Sequence, residues 1–362
     1  MEVKRLGIIG TGLIGASVGL AAKRAGVERV EGYDFSESVA EAARERGAID
    51  QVALSDDEVL DSDLVVVAVP VIALQSVLGS ILGSGDAAIT DVGSTKSNLG
   101  AALGEPGFVG GHPVTGSEAH GPEHATADLF DGATWFLTPT AQTDPERYRL
   151  VHSFVSALGA TPVAIDPEAH DRLVALTSHL PHALANLLVN QAGATRVEGH
   201  EPLAAAGGSL RDMTRVAGAN PRIWIDIFLE NTAALREALG EHRRRIEQLE
   251  TALEARDTGF IARWIGEAAA NRRQMLASAF PDPGDLHQLR VHVPDRPGVL
   301  AGITQSLGAQ RINIEDFELH HVSPERGGTL TLLVTGKSEA ERAAALLESQ
   351  GYGVVVSPVL AP

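Results

Sequence analysis

Gly110-Gly111-His112-Pro113-Val114-Thr115-Gly116-Ser117-Glu118 sets one imidazole between two glycines and a proline, with a carboxylate six residues on. Histidine is the side chain best matched to taking a proton near neutral pH. The glycines admit close backbone approach, and Pro113 stiffens the turn. His112 therefore reads as a general base, with Thr115, Gly116 and Glu118 around a bound substrate. Upstream, Asp91-Val92-Gly93-Ser94-Thr95-Lys96 follows an apolar run and opens a helix. Ser94 is placed to orient His112 or a substrate hydroxyl; Lys96 either holds an anion or caps surface structure. Downstream, Thr177-Ser178-His179-Leu180-Pro181-His182 sets His179 and His182 three apart on one helix face. Carboxylates at metal-ligand spacing are not evident nearby, so no metal is expected and the pair reads as polar contacts to substrate. Ser209-Leu210-Arg211-Asp212-Met213-Thr214-Arg215 offers two arginines and an acid. Arginine suits bidentate carboxylate binding; the alternative is a structural ion pair through Asp212. Trp224 either packs or closes the pocket.

A base needs an electron acceptor beside it for redox chemistry, and the N-terminus supplies a site for one. Gly10-Thr11-Gly12-Leu13-Ile14-Gly15 fits G-x-G-x-x-G between a strand and a helix. The first glycine permits the turn, the second lets backbone approach a pyrophosphate, and the third lets helix and strand pack closely. The helix N-terminus then binds the phosphates. Asp34 closes the second strand at the distance expected of a ribose ligand, and its charge opposes the extra phosphate of NADP, so NAD is the expected cofactor. Val69-Pro70 either lines the nucleotide or simply ends a strand.

These residues need a frame. Arg5–Ile9, Leu13–Ala25 and Arg29–Tyr33 read as a βαβ unit. Val39–Arg46 is helical; Leu64–Val69, Ala87–Val92, Phe108–Gly110, Thr134–Thr138 and Thr161–Ile165 are strand-like. The alternation predicts an α/β, Rossmann-like doubly wound sheet over residues 1–166. From Glu168 to Ala279 strand signals nearly vanish, and Glu168–Ala194, Glu201–Ala206, Pro221–Ala255 and Thr258–Ser278 read as helices of a domain over 167–280. Beyond the linker Phe280-Pro281-Asp282-Pro283-Gly284-Asp285 the order is strand Leu289–Val293, helix Gly298–Ala309, strand Ile312–His321, strand Thr329–Gly336, helix Glu339–Ser349 and strand Tyr352–Val359. That is a ferredoxin-like βαββαβ domain over 287–362.

Composition narrows the partners. With 362 residues and a net charge of −18, the chain lacks the clustered cations that nucleic acid or an anionic membrane requires. An anionic substrate must be held by a few local cations. There is no cysteine, which excludes disulfides, thiolate zinc sites and cysteine nucleophiles. No signal-peptide pattern opens the chain, and no apolar run reaches the roughly 18 residues of a membrane span, so a cytoplasmic protein is expected.

Together the motifs resemble the prephenate/arogenate dehydrogenase family of tyrosine biosynthesis. The resemblance covers about the first 280 residues: the fingerprint, D-V-G-S-x-K at 91–96, G-x-H-P-x-x-G-x-E-x-x-G from Gly110 to Gly121, S-H-L-P-H at 178–182 and D-M-T-R at 212–215. It implies a dinucleotide-binding domain followed by a helical domain that forms a homodimer, and oxidative decarboxylation of a cyclohexadienol. By the same resemblance His112 takes the carbinol proton and Ser94 orients it. Arg215 binds a carboxylate, His182 meets the substrate side chain, and Glu118 and Asp212 join an ionic network at the pocket. The residues themselves supply a base, a hydride acceptor site and a cation; the resemblance supplies the substrate. His179 and His182 lean towards prephenate, while Glu118 and Asp212 leave arogenate open. At the C-terminus, Asp295-Arg296-Pro297-Gly298-Val299-Leu300-Ala301 and Ile312-Asn313-Ile314 resemble an ACT domain. This implies a paired module that binds an amino-acid effector, tyrosine, near Asp295–Leu300 and Asn313; the alternative is dimerisation without a ligand.

Two other classes compete. β-Hydroxyacid dehydrogenases rely on a lysine in the helical region, and no lysine lies between Lys96 and Lys337. A catalytically silent amino-acid sensor has no use for His112, Ser94 and Arg215 together.

Overall fold

The run Leu64–Val67 is buried at every position, as a strand covered on both faces must be. It is the fourth strand of a sheet whose elements follow the chain: β1 (Arg5–Ile9), α1 (Leu13–Arg24), β2 (Arg29–Tyr33), α2 (Glu37–Glu45), β3 (Gln51–Val52), β4 (Leu64–Val67), α3 (Val71–Ile81), β5 (Ala88–Asp91), β6 (Phe108–Pro113), β7 (Thr134–Thr138), α4 (Pro145–Ala157) and β8 (Thr161–Ala164). The computed structural model describes residues 2–115, 119–279, 283–323 and 327–359. Contacts gather the chain into two compact units, Met1–Arg244 and Arg245–Pro362.

In the first unit the sheet order is β3-β2-β1-β4-β5-β6-β7-β8. Every pair is parallel except β6 with β7. Alternation of side chains divides the core. Leu6, Ile8, Leu64 and Val66 pack on one face, whereas Ile9, Val65 and Val67 pack on the other. The chain leaves β1 for β2 on one side and returns to β4 on the other, which opens a crevice at the carboxyl end of β1.

At β4 and β6 the boundaries differ from the sequence expectation in ways that bear on the site. β4 stops at Val67, because Pro70 already caps α3. β6 continues through Pro113, because β7 runs antiparallel beside it and pairs His112 with Phe136 and Pro113 with Trp135. His112 therefore stands on a strand, not in a loop after one.

The helical region begins at α5 (Pro167–Val174), capped by Asp166, whose Oδ1 accepts from the N–H groups of Glu168 and Ala169. The helix expected over Glu168–Ala194 passes through a π-helical turn at Ala175–His179 before α6 (Leu180–Ala194). Pro181 explains the widening: it has no N–H to give and its ring crowds the carbonyl one turn back. Helices α7 (Gly208–Met213), α8 (Pro221–Glu230) and α9 (Thr232–Glu254) follow. The helix expected over Pro221–Ala255 is thus broken at Asn231, a buried polar residue. Glu201–Ala206 holds only a 3₁₀ turn, Pro202–Ala205.

The second unit contains α10 (Thr258–Ala279), β9 (Leu286–Val293), α11 (Val299–Ala309), β10 (Asp316–Ser323), β11 (Gly327–Thr335), α12 (Lys337–Ser349) and β12 (Gly353–Pro358). The four strands form an antiparallel sheet, β10-β11-β9-β12, whose Leu289, Val291, Leu330 and Leu332 pack on Ile303, Leu307, Ala343 and Leu347 of the two helices. The βαββαβ order is the expected one. Its second strand starts at Asp316 instead of Ile312, which is buried in the preceding loop. Among the described residues no helix is long and apolar enough to cross a membrane.

Candidate active site

The glycine turn is built for a dinucleotide. Gly10 has φ +90°, and a Cβ there would lie 2.6 Å from the carbonyl oxygen of Ala68. At Gly15 a Cβ would lie 1.9 Å from the Gly10 carbonyl oxygen, so only glycine lets α1 start against the turn. At Gly12 a Cβ would meet nothing within 4 Å: that face is open, as backbone approach by a ligand demands. No side chain caps α1, so the first-turn N–H groups, from Leu13 and Ile14 onward, are left for an anion. Asp34 Oδ2 accepts the Thr11 N–H at 2.8 Å and Oδ1 accepts the Ser36 N–H at 2.9 Å. A carboxylate offers about four acceptor positions, which leaves capacity for ribose hydroxyls. Ala68 and Val69 lie against Gly10, while Pro70 is exposed at the start of α3. Replacing Asp34 by Ala removes two charge-assisted bonds that hold the turn. NAD affinity should fall by about 10–100-fold, on about 1.5–3 kcal/mol for such bonds, with a smaller loss for NADP. Parallel fluorescence titrations of the two nucleotides check this; an unchanged NADP-to-NAD ratio would refute the ribose assignment.

Beyond the turn, three residues form a chain of hydrogen bonds. His112 Nδ1 lies 2.9 Å from His170 Nε2, and His170 Nδ1 lies 2.9 Å from Asp171 Oδ1. His170 is wholly buried, packed edge-on against Phe136 and against the His112 ring. Asp171 also accepts from the N–H groups of Lys96 and Ser97, each at 2.8 Å, and from the Ser97 hydroxyl. Burial acts to raise the Asp171 pKa, but these donors outweigh it and hold the carboxyl below its usual range. An ionised Asp171 only accepts, so His170 carries its proton on Nδ1 and presents Nε2 as a lone pair. His112 must then donate from Nδ1, which leaves its own Nε2 as the free base. Burial is the main cause, the Lys96 charge adds to it and Asp171 opposes it, and together they push the His112 pKa well below 6.5. At neutral pH the imidazole is the uncharged, proton-accepting form.

The second cluster lies on the helices. His179 is buried and accepts at Nδ1 from Asn231 Nδ2 at 3.0 Å; burial lowers its pKa to about 4. His182 donates from Nδ1 to the Ser178 carbonyl at 3.0 Å and stacks on Trp224, ring centres 3.5 Å apart. Trp224 thus walls this cluster. Burial lowers the His182 pKa, with the Ser178 carbonyl opposing and the positive charge of Arg215 assisting. Arg215 is exposed just beyond α7, and Asp212 is exposed on that helix.

Several expected site residues are placed differently. Ser94 does not hydrogen-bond His112: its hydroxyl is buried without a partner among the described residues, and His112 Nδ1 is taken by His170. Lys96 is not available to a substrate anion. It is wholly buried in an ion pair with Asp91, whose Oδ1 also accepts the Gly111 N–H at 3.0 Å. Thr115 donates its hydroxyl proton to the Leu129 carbonyl at 3.1 Å. Gly116 and Glu118 lie outside the described residues. In the second unit, Asp295, Arg296, Pro297, Gly298, Val299 and Leu300 line a cavity of about 330 Å³ with Leu319 and Gly328. Asn313 is not among its walls; its Nδ2 donates to Glu315 Oε1 at 3.0 Å.

Sequence reasoning missed His170, Asp171 and Asn231. A signal for the first two existed: Pro167, His170, Asp171 and Val174 repeat at helical spacing and form the buried stripe of α5. Asn231 carried no such mark, and only the break between α8 and α9 reveals it.

The chain matches three family descriptions in succession: prephenate dehydrogenase, nucleotide-binding domain, over residues 18–164; prephenate dehydrogenase, dimerization domain, over 166–267; and ACT domain, over 287–351. It is 32% identical over 355 residues to the prephenate dehydrogenase of Bacillus subtilis, spanning 95% of each chain. It is 34% identical over 278 residues to the cyclohexadienyl dehydrogenase of Zymomonas mobilis, spanning 74% of this chain and 95% of that one. The solved prephenate dehydrogenase from A. aeolicus in complex with hydroxyphenyl propionate and NAD+ superposes with a TM-score of 0.70 at 28% identity, covering 76% of this chain and 99% of that one. A glycine turn shaped for a dinucleotide, an imidazole held in neutral form and relatives that match along nearly the whole chain agree: this protein belongs to the prephenate dehydrogenase family.

Proposed function

We propose that the chain catalyses the NAD-dependent oxidative decarboxylation of prephenate to 4-hydroxyphenylpyruvate. The observation that carries this reading is the free Nε2 of His112, held as a base by His170 and Asp171. Bound NAD supplies the hydride acceptor; Gly10, Gly12, Leu13, Ile14, Gly15 and Asp34 hold it. His112 accepts the proton of the ring carbinol, and the imidazolium that forms is stabilised through His170 by the buried carboxylate of Asp171. The unpartnered Ser94 hydroxyl is offered to the substrate, where pairing removes the cost of its burial. Arg215 takes a substrate carboxylate, and the uncharged His179 and His182 suit a keto acid side chain better than an ammonium. Loss of carbon dioxide makes the ring aromatic and the reaction effectively irreversible. The three domains act over 1–166, 167–280 and 287–362, in a cytoplasmic homodimer. The 330 Å³ cavity of the ACT domain is the tyrosine effector site.

The second reading is arogenate as substrate, favoured by the cyclohexadienyl dehydrogenase relative. Initial rates of NADH formation with prephenate and with arogenate, each with and without tyrosine, decide. Turnover of prephenate, inhibited by tyrosine, is expected. Turnover of arogenate alone moves the substrate, insensitivity to tyrosine removes the effector, and turnover of neither removes the function.

A further inference from the structure

We propose that the buried Asp91–Lys96 ion pair is a positioning device for His112, holding the backbone from which it extends while His170 holds its ring. The inference rests on His112 being the base of the proposed reaction. Asp91 ends β5, and Lys96 follows one tight turn later. Asp91 Oδ1 accepts the N–H of Gly111, the residue before His112, at 3.0 Å. Its Oδ2 accepts the Gly93 N–H at 2.8 Å and the Lys96 ammonium. The glycines beside His112 pack against this corner of the sheet: a Cβ at Gly110 would lie 2.3 Å from Thr138 Oγ1 and 3.2 Å from Lys96 Cδ, and one at Gly111 would lie 2.5 Å from the backbone carbonyl oxygen of Asp91.

The hydrogen bonds close a circuit. The Lys96 side chain reaches the strand of His112 through Asp91 and Gly111. The Lys96 backbone N–H reaches Asp171, which holds His170, which holds the His112 ring. The imidazole is therefore fixed at two points by one brace. Stability alone gives no reason for this arrangement, since an apolar pair of similar volume commonly serves a core at least as well. An apolar pair offers neither the three acceptor bonds nor a charge at this place. Among the described residues, Lys96 on the loop after β5, His170 and Asp171 on α5 and His179 on the π turn act on His112. Lys96 opposes its protonation, as a charged His170 or His179 would, and Asp171 favours it.

The test is the double variant Asp91→Asn with Lys96→Met in the full chain, which removes both charges without leaving one buried alone. With NAD affinity and melting temperature close to the parent, kcat should fall by about 10–100-fold while the prephenate KM changes little, as for a misplaced base. The His112 ring signal in a histidine NMR titration, assigned by its loss in His112→Asn, should titrate at higher pH. Lys96→Arg should keep the parental titration. A folded double variant with parental kcat and parental titration would overturn the proposal. Should it not fold, Lys96→Met alone decides on the same two readouts, with Asp91 still held by the Gly93 and Gly111 N–H groups. The NMR titration needs no turnover, so a protein inactive on prephenate would sink the functional reading and still test the brace.

Discussion

Replacing His112 by Asn should lower kcat by about 10²–10⁴-fold and leave the NAD dissociation constant nearly unchanged. Asparagine can still reach towards His170 but has no lone pair of suitable basicity to take the carbinol proton. The glycine turn and Asp34 contact other residues, so nucleotide affinity gives an internal control for folding. The pH profile makes the prediction sharper. Because the His112 pKa is pushed well below 6.5, the base form persists through neutral pH, and kcat/KM should fall only as pH drops through that lowered value. The acid limb belonging to His112 should vanish in the variant. Equal turnover, or an unaltered acid limb, would remove His112 as the base and leave the Asp171–His170 chain without a purpose in catalysis.

Arg215→Ala should raise the KM for prephenate by about 10–100-fold with a lesser effect on kcat, corresponding to about 1.5–3 kcal/mol for a charge-assisted hydrogen bond. Arg215 is the cation whose charge reaches His182, beside the Trp224 wall. With a formal net charge of −18, the protein as a whole repels a dicarboxylate, so the local guanidinium must supply the attraction. Arg215→Lys keeps the charge and loses the planar fork, so it should lie between the two. Without the Arg215 charge, the His182 pKa should also rise. A KM unchanged in Arg215→Ala would transfer carboxylate binding to another cation.

The two predictions draw on different layers of information. His112 and Arg215 could be singled out as candidates because their motifs are local: glycines that tolerate close approach on one side, arginines beside an acid on the other. The glycine fingerprint and Asp34 were legible for the same reason, since a βαβ unit places them within one short stretch of chain. The βαββαβ order of the C-terminal unit followed from alternating and helical periodicities that residues within each element report themselves. What the sequence did not disclose has the opposite character. The loop motif marked Lys96, yet its side chain is spent on Asp91 and its backbone N–H is held by Asp171, which α5 brings to that loop. His170 and Asp171 arrive from 58 and 75 residues away in sequence to meet His112 and Lys96. No periodicity within β5 or β6 encodes that meeting.

By itself the sequence determined the order of the elements and the dinucleotide turn, and it marked His112 as the candidate base, because these depend on residue types a few positions apart. Tertiary structure alone decided that His170 and Asp171 meet His112 and the Lys96 backbone, and that Asn231, between two helices, reaches His179. The physical reason is that a hydrogen bond or a buried charge is satisfied by whatever the packing brings within about 3 Å, and packing joins residues that the chain keeps far apart.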